Sequence, residues 1–202
     1  RKGQRMRATL MMTLLVPVLA TQTQAEIPKN LENFSLEKFT GIWYVLAIAT
    51  EAKKYLLRER KIGAVVVQAL KKGQLKIMYA HDRPQGCQLY NIILKEDLKK
   101  SMFRNTVKGI RDFRVLSTDY WVYAVVYIKG GKAGYYYNNV LLCSREKMVK
   151  IEMLQEFIKM CQTVGLICNK TIFLKQDATC AHTIIPVSCD STVFWLLPIR
   201  CF

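Results

Sequence analysis

Seven cysteines and two histidines have the widest chemical reach in this chain: Cys87, Cys143, Cys161, Cys168, Cys180, Cys189 and Cys201, with His81 and His182. A cysteine can attack as a thiolate, ligate a metal or pair as a disulfide. No Cys-x-x-Cys occurs, and two distant histidines do not complete a zinc site, so no metal is expected. Nucleophilic use has no support either, because no base lies near Cys143 in sequence. No serine–histidine–aspartate set, carboxylate pair or phosphate-binding loop is legible. The reading is therefore no catalytic residues and no cofactor. Seven is odd, so at least one thiol is unpaired or intermolecular.

The start of the chain sets the redox context. Arg1, Lys2, Arg5 and Arg7 precede an apolar run from Ala8 to Leu19, and small residues follow with cleavage sites after Ala20 or Ala25. That run is too short to cross a bilayer and reads as a signal peptide, residues 1–25. Secretion favours disulfides. It also opens two sequons to glycosylation, Asn33-Phe34-Ser35 and Asn169-Lys170-Thr171.

The 202 residues carry 31 Lys+Arg against 15 Asp+Glu, a net charge of +16. Losing residues 1–25 removes four bases and no acids, which leaves +12. The bases fall in ones and twos, as in Lys53-Lys54, Lys71-Lys72 and Lys99-Lys100, with no stacked aromatic platform. Nucleic acid is therefore not an expected partner. An anionic membrane or a glycan surface is, through long-range attraction.

Gly41 to Arg145 reads as short strands separated by turns. The expected strands are Gly41–Thr50, Ile62–Leu70, Leu75–Ala80, Cys87–Lys95, 101–108, Arg111–Ser117, Trp121–Lys129 and Tyr135–Ser144. Lys71-Lys72-Gly73-Gln74, His81 to Gly86, Asp119 and Gly130-Gly131 mark turns. Eight strands at this spacing suggest an up-and-down barrel or a sandwich. Across Lys147–Val164 the period changes. Ile151, Leu154, Ile158 and Cys161 recur every three or four residues, which predicts an amphipathic helix with those residues buried. Thr171–Leu174 reads as a short ninth strand.

Gly41-Ile42-Trp43, Thr118-Asp119-Tyr120 and Arg145, in this order and spacing, resemble the lipocalin signature. Val115 to Tyr120 and Cys180-Ala181-His182-Thr183-Ile184 are most similar to the epididymal-specific lipocalins. The resemblance covers about residues 30–186 and implies an all-β fold: an eight-stranded antiparallel up-and-down barrel with one C-terminal helix. The lipocalin domain is taken as 26–186. It also implies structural roles for the motif residues. Trp43 would plug the closed end, Arg145 would lie across the indole, and Thr118-Asp119-Tyr120 would shape the adjoining turn. Cys87 and Cys180 would form the family's bridge.

A barrel of this size holds one small ligand. Strand alternation, with the family's placement of Trp43, puts Val45 and Ala47 inside, along with Val65, Val67, Ile77 and Tyr79. Tyr90, Ile92, Phe103, Asn105, Val107, Phe113, Val115, Val126, Leu141 and Cys143 complete the expected ligand-binding set. Asn105 and the tyrosine hydroxyls would be its polar anchors, and Ala47 and Ala49 would leave space near the open end. The expected partner is a small hydrophobic ligand: retinoid, steroid or fatty-acid-like. A cell-surface receptor is a further expected partner. The alternative is a cationic surface-binding protein, antimicrobial or sperm-coating, with incidental ligand binding.

Within this family, prostaglandin D synthase uses a cysteine inside the barrel. Aligning Leu57-Arg58-Glu59-Arg60-Lys61 with that enzyme puts Val67 at the nucleophile position, so the activity is not expected. The tail, residues 187–202, is apolar through Phe194-Trp195-Leu196-Leu197 and lies past the resemblance.

Overall fold

A computed structural model describes Ile27 and residues 31–52, 61–71, 73–132, 134–168 and 171–185. The expected signal peptide, the Asn169 sequon and the tail with Cys189 and Cys201 lie outside the described residues, as do residues 53–60. A single-turn helix, α1 (Leu36–Phe39), is capped by Ser35, whose Oγ accepts from the Lys38 amide. The strands follow: β1 (Gly41–Thr50), β2 (Lys61–Ile62), β3 (Ala64–Ala69), β4 (Gln74–Arg83), β5 (Gly86–Asp97), β6 (Met102–Asn105), β7 (Ile110–Thr118), β8 (Tyr123–Lys132) and β9 (Tyr135–Ser144). Then come α2 (Ile151–Thr163), β10 (Thr171–Phe173) and β11 (Lys175–Gln176).

Strands β1, β3, β4, β5, β6, β7, β8 and β9 pair antiparallel in that order, and β9 returns to β1. The sheet is a closed eight-stranded barrel, which removes the open edges that a sandwich would keep. Strand β10 extends the line of β3 by pairing with the second half of β1, at Ala47, Ile48 and Ala49.

Closure depends on a bulge. Between Val45 and Ala47 the β1–β9 register shifts, so two β1 residues fill the place of one. Val45 faces the interior cluster before the bulge and Ile48 faces it after. Ala47 and Ala49 turn outward and pack with the helix. This corrects the sequence expectation, which carried strict alternation through the strand. The small alanines make room for α2, not for a ligand.

The helix also presents a different face from the one expected. Met153, Phe157 and Cys161 are buried, four residues apart, against β7, β8 and β9. Ile151 is 71 % exposed, and Ile158 is exposed as well. Apolar residues occupy two neighbouring stripes of this helix, and spacing alone does not choose between them. The Phe157 ring is fully buried in one cluster with Ala47, Ala49, Val125, Val140 and Leu142 of the barrel's outer face.

Several boundaries move outward. Strands β4 and β5 run on to a tight turn at Pro84 and Gln85, and Gly130-Gly131 lies inside β8. The strand expected over 101–108 stops at Asn105, because residues 106–109 form a turn closed by Gly109 N–H donating to Thr106 C=O. Cys87 at the start of β5 is bonded to Cys180, closing a separation of 93 residues. In the chain-entropy picture such a closure contributes about 4–5 kcal/mol.

Candidate functional site

The site is built upward from the barrel's sealed end. Trp43 is buried, and its Nε1–H donates to Phe39 C=O at 2.9 Å. The Arg145 guanidinium lies 3.7 Å from the indole centroid. Its N–H groups donate to the carbonyls of Ile42 and Thr40 at 2.8 Å, Tyr120 at 3.2 Å and Lys38 at 3.3 Å. One planar fork thereby joins α1, β1 and the β7–β8 turn. Burial lowers the Arg145 pKa, and the Asp119 carboxylate opposes that shift. Gly41 sits beside this fork at φ +105, and a Cβ there would come within 3.0 Å of Arg145 Nη1. Glycine is needed on both counts.

The turn between β7 and β8 is held by its own side chains. Asp119 Oδ1 accepts from the amides of Trp121, Val122 and Tyr123 at 2.8–3.1 Å. Thr118 Oγ1 donates to Tyr123 C=O and accepts from the Tyr120 amide. These bonds leave Tyr120 at φ +68 with its hydroxyl accepting from the Ser35 amide at 3.0 Å. The segment before α1 is thus laid across the barrel's base, and its Phe34 ring sits among Phe39, Phe103 and Tyr120.

Above the floor the inward residues fall into two storeys. The lower storey is closed to solvent: Val45, Val67, Leu75, Leu94, Phe103, Phe113, Val115, Val126 and Cys143 are all buried in one cluster. The upper storey packs on that cluster but is only half-buried: Val65, Ile77, Ile92, Ile110, Ile128 and Leu141. Inside a closed wall, an inward side chain meets water through the interior. Accessible apolar surface therefore begins at the level of Ile77 and continues to the mouth.

The mouth has aromatic and polar groups. Tyr79 and Tyr90 stack at 5.0 Å with planes 7° apart, and His81 meets both rings edge-on at 5.4 and 5.6 Å. The Tyr90 hydroxyl donates to Gln88 Oε1. Across the barrel, the Thr50 hydroxyl donates to Asn139 Oδ1 at 2.6 Å, and Asn139 Nδ2 donates to Ile128 C=O. Both side chains are buried, on the same face as Ile128.

Two residues of the expected lining stand elsewhere besides Ala47. Val107 is 94 % exposed at the tip of the β6–β7 turn, because strand alternation ends at Asn105. Asn105 serves that same turn: its Nδ2 donates to Ile93 C=O and its Oδ1 accepts from the Lys108 amide. Its amide is not a ligand anchor. Sequence reasoning missed Thr50, His81 and Asn139. Asn139 shares parity with Leu141 and Cys143, and that signal could have found it. Thr50 faces in only because of the bulge, which no composition signal marked.

Cys143 is the interior thiol. Burial pushes its pKa up to about 12, which leaves it protonated and unreactive at neutral pH. Val67, opposite Gly41 and Ile77 in the pairing, is packed into the lower storey.

A family model described as Lipocalin / cytosolic fatty-acid binding protein family matches residues 40–178. Epididymal-specific lipocalin-6 of Macaca mulatta is 28 % identical over 183 residues, 89 % of this chain and 99 % of that protein. The extracellular fatty acid-binding protein of Gallus gallus is 25 % identical over 169 residues, 83 % of this chain and 92 % of that protein. A solved structure, described as the siderocalin Ex-FABP with dual ligand specificities, superposes with a TM-score of 0.61. It covers 70 % of this chain and 92 % of its own at 24 % identity, a likeness of fold.

Proposed function

Because this chain belongs to the lipocalin / cytosolic fatty-acid binding protein family, we propose that it is a secreted carrier of a small hydrophobic molecule. The ligand class is retinoid, steroid or fatty-acid-like, and the ligand sits in the upper storey of the barrel. One observation carries the reading: half-buried aliphatic side chains stand above a sealed floor and below an aromatic rim. An apolar wall with few oriented polar groups is the usual composition of a small-molecule site.

The floor's chemistry fits a container. Phe39, Trp43 and Arg145 fix the closed end with bonds to the backbone, so the base does not need to move for a ligand to enter. The bound molecule would rest on Ile77, Ile92, Ile128 and Leu141. Tyr79, Tyr90 and His81 would flank its outer end, with the Thr50–Asn139 pair opposite. Removing about 200 Å² of apolar ligand surface from water contributes about 5 kcal/mol before the cost of association. Micromolar binding corresponds to about 8 kcal/mol net, so a lipid-sized ligand must bury more apolar surface than this or bond to the rim as well.

The protein carries its ligand without transforming it. Val67 offers no nucleophile at the position where prostaglandin D synthase is expected to have its cysteine, and the protonated Cys143 thiol offers none in its place. Native mass spectrometry of the protein taken from its own fluid tests the reading. A retained hydrophobic molecule, displaced by a fluorescent fatty acid or retinoid, is the expected result. Empty protein that takes up no probe at micromolar concentration would overturn it.

A further inference from the structure

The end of the barrel opposite the mouth carries a surface that the carrier role does not use. The β3–β4 turn and the β5–β6 turn both project from this end, beyond Gly41 and Trp43. A backbone bond from the Glu96 amide to Gly73 C=O, at 2.8 Å, holds the first turn against the strand leading into the second. The β5–β6 turn is a single 3-10 turn, Leu98–Lys100, ended by Ser101 at φ +46. The two tips therefore form one continuous ledge.

That ledge combines exposed apolar side chains with lysines. Leu98 is 79 % exposed and Leu70 is 40 % exposed, while Ile93 on the adjoining outer face of β5 is 42 % exposed. Lys71, Lys99 and Lys100 are exposed between them, and Lys95 follows on the same outer face as Ile93. The carboxylates of these two turns do not balance them: Asp97 is engaged by Arg104 at 3.2 Å, which leaves Glu96, while on α1 beside β3 the exposed Glu37 is followed by the exposed Lys38. Farther around the same rim, Trp121 is 77 % exposed on the β7–β8 turn. Its turn is fixed by Asp119, so the indole is held out on a rigid support.

We propose that this closed-end ledge is a docking surface for an anionic lipid membrane. Lysines near such a surface are attracted by its negative potential, and leucine and tryptophan side chains enter the headgroup boundary. The apolar members favour lipid over a sulfated glycan, since a glycan would leave Leu70, Ile93 and Leu98 against water or against charge. Docking by this end holds the barrel mouth toward solution, where ligand can leave or enter while the protein stays bound. The proposal goes beyond the carrier reading and does not rest on it.

The test is sedimentation of the full chain with phosphatidylcholine vesicles, with and without about 30 % phosphatidylserine. Binding to the anionic vesicles alone, weakening with salt, is expected. The triple variant Lys71→Gln/Lys99→Gln/Lys100→Gln should bind them about a hundred-fold more weakly. Leu98→Ser should bind about ten-fold more weakly. Trp121 should shift its emission to the blue on binding, and Trp121→Phe should lose that component. Circular dichroism and displacement of a barrel probe should match the unmodified protein in every variant, because none of these residues faces the interior. Equal binding to neutral and anionic vesicles, unchanged binding by the triple variant, or retention on heparin with no vesicle binding would each overturn the proposal.

Discussion

Arg145 does the work of a brace. Its guanidinium reaches four backbone carbonyls on three segments and covers the Trp43 ring. A lysine keeps the charge but not the planar fork, so Arg145→Lys would leave carbonyls unpaired in a half-buried place. A loss of about 2–3 kcal/mol in urea unfolding is expected, with ligand binding retained once folded. Cys143 gives a second residue-scale prediction. Its folded pKa, about 12, lies above the ordinary 9.0, so the folded state holds the proton more tightly than the unfolded chain. The stabilisation is fully present below pH 9.0 and is lost as pH rises toward 12. Stability should therefore fall by up to about 1.4 kcal/mol per pH unit above that point, and Cys143→Ala should make the fall shallower. Base titration of the melting temperature checks it. At this scale, chemistry was legible where it depends on residue type, as for Trp43, Arg145 and the Asp119 turn. It was not legible for Ala47, Asn105 and Val107, whose roles follow from where a strand bends or stops.

Strand ranges were mostly readable because β-branched runs and glycine-marked turns leave a period of two. What the period does not contain is a bulge. One extra residue at Leu46 reverses every later assignment in β1, turning Ala47 and Ala49 to the helix and bringing Thr50 to the inner face. The helix shows the complementary ambiguity. Its two apolar stripes satisfy the same spacing, and only the contour of the barrel wall selects Met153, Phe157 and Cys161. Paired substitutions separate the stripes. Phe157→Ala should cost about 3–5 kcal/mol through the cavity it leaves. Ile151→Ser, on the exposed stripe, should stay within about 0.5 kcal/mol of the unmodified protein. Equal losses in chemical denaturation would contradict the buried face described above.

For the whole molecule, the barrel divides labour along its axis. The base is sealed by aromatic rings and a cation, the lower storey is packed, and the upper storey opens toward the mouth. The Cys87–Cys180 bond ties the far end of β5 to the last described segment and limits how far that segment can separate from the wall. Reduction should lower the unfolding free energy by about 4 kcal/mol in the chain-entropy picture, read as a shift of the denaturation midpoint. The closed barrel came from motif resemblance, since spacing alone left a sandwich open. The division into storeys could not be read from sequence, because every lining residue there is simply apolar. Filling the upper storey tests the account most directly. Ile77→Trp/Leu141→Trp would put two indoles where the ligand is proposed to sit, without touching the floor. Titration of both proteins with a fluorescent fatty acid or retinoid should give micromolar binding to the unmodified chain and at least a ten-fold loss in the filled, folded variant. Unchanged affinity in that variant would place the ligand elsewhere and contradict the account.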